Sequence, residues 1–73
     1  MSGAVHATPQ VVAAAEGALA AQQAVAEISS GAHDSRLAWL RLVELAARHG
    51  WRSAAVAAYV CQLAKLAAQG ARQ

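Results

Sequence analysis

The apolar positions of this chain fall into three helical patterns separated by glycine. Val11, Ala14, Ala18, Ala21, Val25 and Ile28 recur at steps of three and four, while Glu16, Gln23 and Ser30 repeat every seven residues on the other side. Such spacing lays one apolar stripe along a helix. Thr8 is placed to cap its start, and Pro9 occupies the first position, where a missing N–H costs nothing and the fixed φ is already helical. A helix is therefore predicted over 9–30, with Gly31 as a left-handed stop. Gly17 inside it costs about 1 kcal/mol relative to alanine, so this helix leans on packing rather than propensity.

A second helix is predicted over 35–49, capped by Asp34 or Ser35. Its polar stripe is narrow. Arg41, Glu44 and Arg48 share one face, with Glu44 four residues before Arg48 in the favourable orientation, and Leu37, Trp39, Leu40, Leu42, Val43, Leu45 and Ala46 cover most of the rest. Gly50 stops this helix, and Ser53 is placed to cap a third over 53–69, which Gly70 ends. Val56, Tyr59, Val60, Leu63, Leu66 and Ala67 form its apolar face, and Gln62, Lys65 and Gln69 its wet one. The short link around Gly50 makes helices two and three neighbours. The expected fold is all-α, a small three-helix bundle in which a helical hairpin packs against an additional alanine-rich helix. Residues 1–8 read as an N-terminal arm, 9–70 as one domain and 71–73 as a tail.

Composition changes this picture in one respect. Hydrophobic residues make up 58 % of the 73 residues, yet 22 residues are alanine, so most of the apolar content is methyl groups. A domain this small buries a limited share of its surface, and few large side chains anchor it. Trp39, Leu40, Leu42, Val43, Trp51 and Tyr59 exceed what so small a fold readily covers. Trp39, Leu40, Val43, Trp51 and Tyr59 are accordingly expected to bind a partner, either another protein or a second copy in a homo-oligomer.

The charged residues exclude more than they suggest. Six Lys and Arg against four Asp and Glu give a formal charge of +2, which is no strong electrostatic footprint. His6, His33, His49 and Cys61 stand in four separate settings without an acidic partner nearby, so no metal site is expected. Glu16, Glu27, Asp34 and Glu44 read as solvated or capping groups. No two carboxylates pair on one face, no Ser or Cys is joined to a His and an acid, and the five glycines occur singly, not as a phosphate loop. The expectation is a protein that is not an enzyme, with no catalytic residue, cofactor or small-molecule ligand. Cys61 is expected to be a small buried hydrophobe, and a lone cysteine suits a reducing compartment. Met1–Gln10 carries no targeting pattern, and no apolar run nears the roughly 20 residues of a membrane span. Cytoplasmic localisation without membrane contact is the corresponding expectation.

Residues 36–66 resemble one tetratricopeptide repeat, with Trp39, Leu42, Gly50, Ala55, Tyr59 and Leu63 at the spacing of its bulky, turn, small and aromatic positions. They depart from it at Val43, at Gln62 and in lacking a closing proline. The resemblance implies peptide or protein binding, with residues 9–30 supplying the neighbouring surface. The run from Glu44 to Ser53 is also similar to a DNA-binding helix-turn-helix, with Ala46, Gly50, Trp51, Val56 and Tyr59 at its small, turn and core positions. That resemblance implies Arg48, Arg52, Ser53 and Lys65 as nucleic-acid contacts, with Arg36, Arg41 and Arg72 also available to phosphates. The outward positions Ala54, Ala57, Ala58 and Cys61 offer nothing to base edges, which leaves Arg52 as the one strong reader. An adaptor, inhibitor or small chaperone acting through apolar helical faces is the functional expectation, with a helix-turn-helix DNA-binding protein as the alternative.

Overall fold

The computed structural model describes residues 8–71; His6 and Arg72, with most of the expected arm and tail, lie outside them. Among the described residues the chain forms α1 (Pro9–Ser29), α2 (Arg36–His49) and α3 (Ala54–Ala71). The fold is an all-α three-helix bundle.

Helix ends follow the local chemistry closely. Thr8 Oγ1 accepts from the Val11 backbone N–H at 3.1 Å, directly before Pro9. Asp34, not Ser35, caps α2, its Oδ1 accepting from Arg36 N at 2.9 Å, while the Ser35 side chain makes no cap bond. Ser53 Oγ accepts from Val56 N at 3.2 Å at the start of α3. Gly31 and Gly50 take positive φ, 84° and 95°. Gly50, with ψ 150°, occupies a region closed to residues bearing a Cβ, and its N–H still donates to Ala46 O at 2.8 Å. Gly70 differs from expectation: α3 runs through it to Ala71, because nothing there demands a left-handed turn.

The principal interface joins α1 to α3, with α2 packed across the pair by smaller contacts to each. Sequence adjacency pointed to the α2–α3 hairpin as the main unit. Gly17 is the reason for the difference. It is buried, and a Cβ added there would run into the carbonyl of Ala55 and approach Tyr59 N. A residue without a side chain lets the α3 backbone lie directly against α1, which gives this pair a closer approach than α2 can make.

The contact also turns α1 relative to the predicted seam. The innermost residues are Gly17, Ala21 and Ala24; Val11 is exposed, and Ala14, Ala18, Val25 and Ile28 are half-buried. The core gathers Ala21, Leu45, Ala46, Ala55, Val56 and Tyr59, with Ala13, Ala20, Leu42 and Leu63 packed around it. Tyr59 is 0 % exposed, and its hydroxyl donates to Ala38 O at 2.6 Å, joining α3 to the first turn of α2. Buried polar groups must find partners, and this bond satisfies the one large polar side chain of the core.

Candidate functional site: an aromatic face on α2

Four of the five residues expected to bind a partner stay open to solvent. Trp39 is 61 % exposed, Trp51 59 %, Leu40 57 % and Val43 38 %. Tyr59 is the exception, and its expected role as an interface anchor is corrected: it lies on the α3 face that Gly17 admits to the core, out of a partner's reach.

The two tryptophans meet, with ring centroids 6.4 Å apart and planes tilted by 37°. That separation lies within the range of favourable aromatic pairs. The meeting depends on both local elements. Trp39 and Val43 stand one turn apart on the outer face of α2, and Gly50 turns the chain so that Trp51 comes back over the same helix. Positions 39, 43, 47 and 51 form a series of steps of four, a signal present in the sequence but interrupted by the glycine.

An open depression of about 550 Å³ lies beside the pair, between the 32–34 turn and the first turn of α2, with Leu37, Trp39 and Leu40 along it. A shallower one follows down the helix at Glu44, Ala47 and Arg48.

Ion pairs frame the face and tie α2 to α1. Glu16 accepts from Arg48 Nη2 at 2.9 Å and lies 3.1 Å from His49 Nε2. Glu27 lies 3.4 Å from His33 Nε2 and 3.7 Å from Arg41 Nη2, and Arg41 Nη1 reaches Glu44 at 3.0 Å. Each glutamate of α1 thus faces one histidine and one arginine. This corrects two expectations. Both described histidines have an acidic neighbour, and Arg48 pairs across helices with Glu16 instead of along α2 with Glu44. The cause is tertiary: Glu16 and Glu27 are eleven residues apart, three helical turns, so both lie on the edge of α1 that α2 covers. The His49 hydrogen bond, followed by the charge of Arg48, lowers the Glu16 pKa against an opposing desolvation effect. Hydrogen bonds from the Arg36 guanidinium and backbone lower that of Asp34.

The residues assigned to nucleic acid are scattered. Arg48 is engaged by Glu16, Ser53 caps α3, Arg52 is exposed at the turn, and Lys65 lies about 18 Å further along α3 at 1.5 Å per residue. Cys61 is exposed, not the buried hydrophobe expected, because it falls on the side of α3 facing away from both other helices. No group of three His, Cys, Asp or Glu side chains among the described residues is arranged to hold a metal ion. No described helix is long and apolar enough to cross a membrane.

Comparison with protein-family models, with curated proteins and with solved structures gives no match.

Proposed function

We propose that this three-helix protein is a non-enzymatic interaction module, an adaptor, inhibitor or small chaperone, that binds another protein through the outer face of α2. The supporting observation is the solvent-exposed Trp39–Trp51 pair with Leu40 and Val43 beside it. Large apolar side chains left in water on a domain this small are the usual anchors of helical recognition, and tryptophan is prominent among binding hot spots. The tetratricopeptide-like spacing of residues 36–66 points the same way. The scattered basic residues give less support to the DNA-binding alternative.

The test uses a designed amphipathic peptide helix with uncharged flanks, titrated into the full chain while tryptophan emission and heat are followed. Saturable binding is expected, with a blue shift in emission, and with loss of binding in Trp39→Ala at unchanged helicity. Three results overturn the proposal: no binding at millimolar peptide, collapse of helicity in Trp39→Ala, or tight salt-dependent binding to duplex DNA through Arg48, Arg52 and Lys65.

A further inference from the structure

We infer that α2 is a hinged strap: it opens as one unit from the α1–α3 pair while that pair stays joined, and the charges of Glu16 and Glu27 help to hold it closed. This holds whether or not the outer face of α2 receives a partner.

The two ends of α2 supply the first argument. Gly31 lies in the link before it and Gly50 directly after it, both at positive φ, and a Cβ added at either would meet nothing within 4 Å. Every residue from Ser29 to Arg36 is exposed, and so is every residue from Ala47 to Arg52. Neither link is packed against the body of the protein. Hinges are short stretches of this kind, where a change in φ and ψ disturbs no packed side chain.

Unequal packing supplies the second. α1 and α3 share the principal interface, where Gly17 brings backbone against backbone, and the interfaces of α2 with each are smaller. Of the 14 residues of α2 only Leu37, Leu45 and Ala46 are buried, and Leu37 stands outside the central cluster. Opening α2 therefore withdraws Leu45 and Ala46 from that cluster but leaves the Gly17–Ala55 approach in place, with Ala21, Val56 and Tyr59 beside it.

The remaining attachments are a short set of polar ties. The Tyr59 hydroxyl donates to Ala38 O at 2.6 Å near the start of α2. Glu16 holds Arg48 at 2.9 Å and His49 at 3.1 Å at its end. Glu27 lies 3.7 Å from Arg41 of α2 and 3.4 Å from His33 of the link before it. All these charged groups are partly exposed, and ion pairs so placed contribute little each and weaken in salt. Few buried apolar contacts and solvent-screened ties are the marks of a segment that opens locally, below the free energy of global unfolding.

Native-state hydrogen exchange on the full chain, followed residue by residue by NMR at increasing urea below the unfolding transition, tests the inference. Without urea the amides of Leu45 and Ala46 are expected to exchange about ten-fold faster than those of Ala21 and Tyr59, with a weaker dependence on urea, since partial opening exposes less surface than unfolding. The two sets are expected to merge as urea makes global unfolding the easier route. Glu16→Gln combined with Glu27→Gln is expected to speed the α2 amides a further three- to ten-fold, roughly the effect of two screened ties, at unchanged helicity. One common rate and one common urea dependence for all three helices overturns the inference, because the bundle then opens only as a whole. α2 rates that the double variant leaves unchanged overturn it as well, since the two glutamates then do not hold the strap.

Discussion

Gly17 of α1 lies directly against the carbonyl of Ala55 of α3, with no room between them for even one methyl group. This close approach lies within the α1–α3 interface, the principal one of the fold. Gly17→Ala is therefore expected to destabilise the protein by about 2 kcal/mol. Overpacking against rigid backbone costs about 1–3 kcal/mol and outweighs the gain of up to about 1 kcal/mol in helix propensity. Gly70→Ala, where an added Cβ meets nothing within 4 Å, is expected to stabilise by a few tenths of a kcal/mol. Urea melts of the two variants check both signs. Equal behaviour of the two contradicts the close packing at Gly17.

Tyr59→Phe removes the hydroxyl that donates to Ala38 O and is expected to cost about 1 kcal/mol. Burial raises the Tyr59 pKa above its ordinary value of 10.0. A group whose pKa is raised on folding contributes stability that is complete below the unfolded value and lost as pH climbs through the folded one. Thermal unfolding followed above pH 10 should show the wild type losing stability more steeply than Tyr59→Phe. Parallel curves contradict the role of the buried hydroxyl.

The Glu16 contact with His49 and Arg48 stabilises the docking of α2 on α1 with the opposite pH sign. Because the Glu16 pKa is lowered on folding, its contribution is present above the ordinary carboxylate value of 4.5 and is lost as pH falls through the folded value. Glu16→Gln is expected to lower the melting temperature at neutral pH, to flatten the acid limb of stability, and to do so less at high salt, since the group is partly exposed. A melting temperature that Glu16→Gln leaves unchanged at low salt would exclude Glu16 as a tie between the two helices.

Cys61 is exposed on α3, so a thiol reagent is expected to modify it in the native state at close to the rate of an unfolded peptide thiol. Cys61→Ser is expected to change stability by no more than about 0.5 kcal/mol, as for other surface positions. Protection of the thiol that disappears only on unfolding counts against this placement.

The sequence by itself determined the three helices and their ends, apart from the stop expected at Gly70, through which α3 continues. Thr8 with Pro9, Asp34, Gly50 and Ser53 act through bonds to neighbours a few residues away, so their effect can be deduced without knowing what surrounds them. It also gave the expectation that large apolar groups exceed what the core takes up, which Trp39, Leu40, Val43 and Trp51 meet while Tyr59 and Leu42 are drawn into or against the core. Tertiary structure decided which helices pair most closely, and the deciding residue was invisible to a hydrophobic pattern: Gly17 has no side chain to count, yet that absence brings α3 against α1. With it go the turned face of α1 and the burial of Tyr59, expected to bind a partner; the exposure of Cys61 and the pairing of Glu16 and Glu27 with α2 were likewise decided in three dimensions. Each of these depends on which side of a helix meets a neighbour, a quantity set by the closest backbone approach in space and not by spacing along the chain.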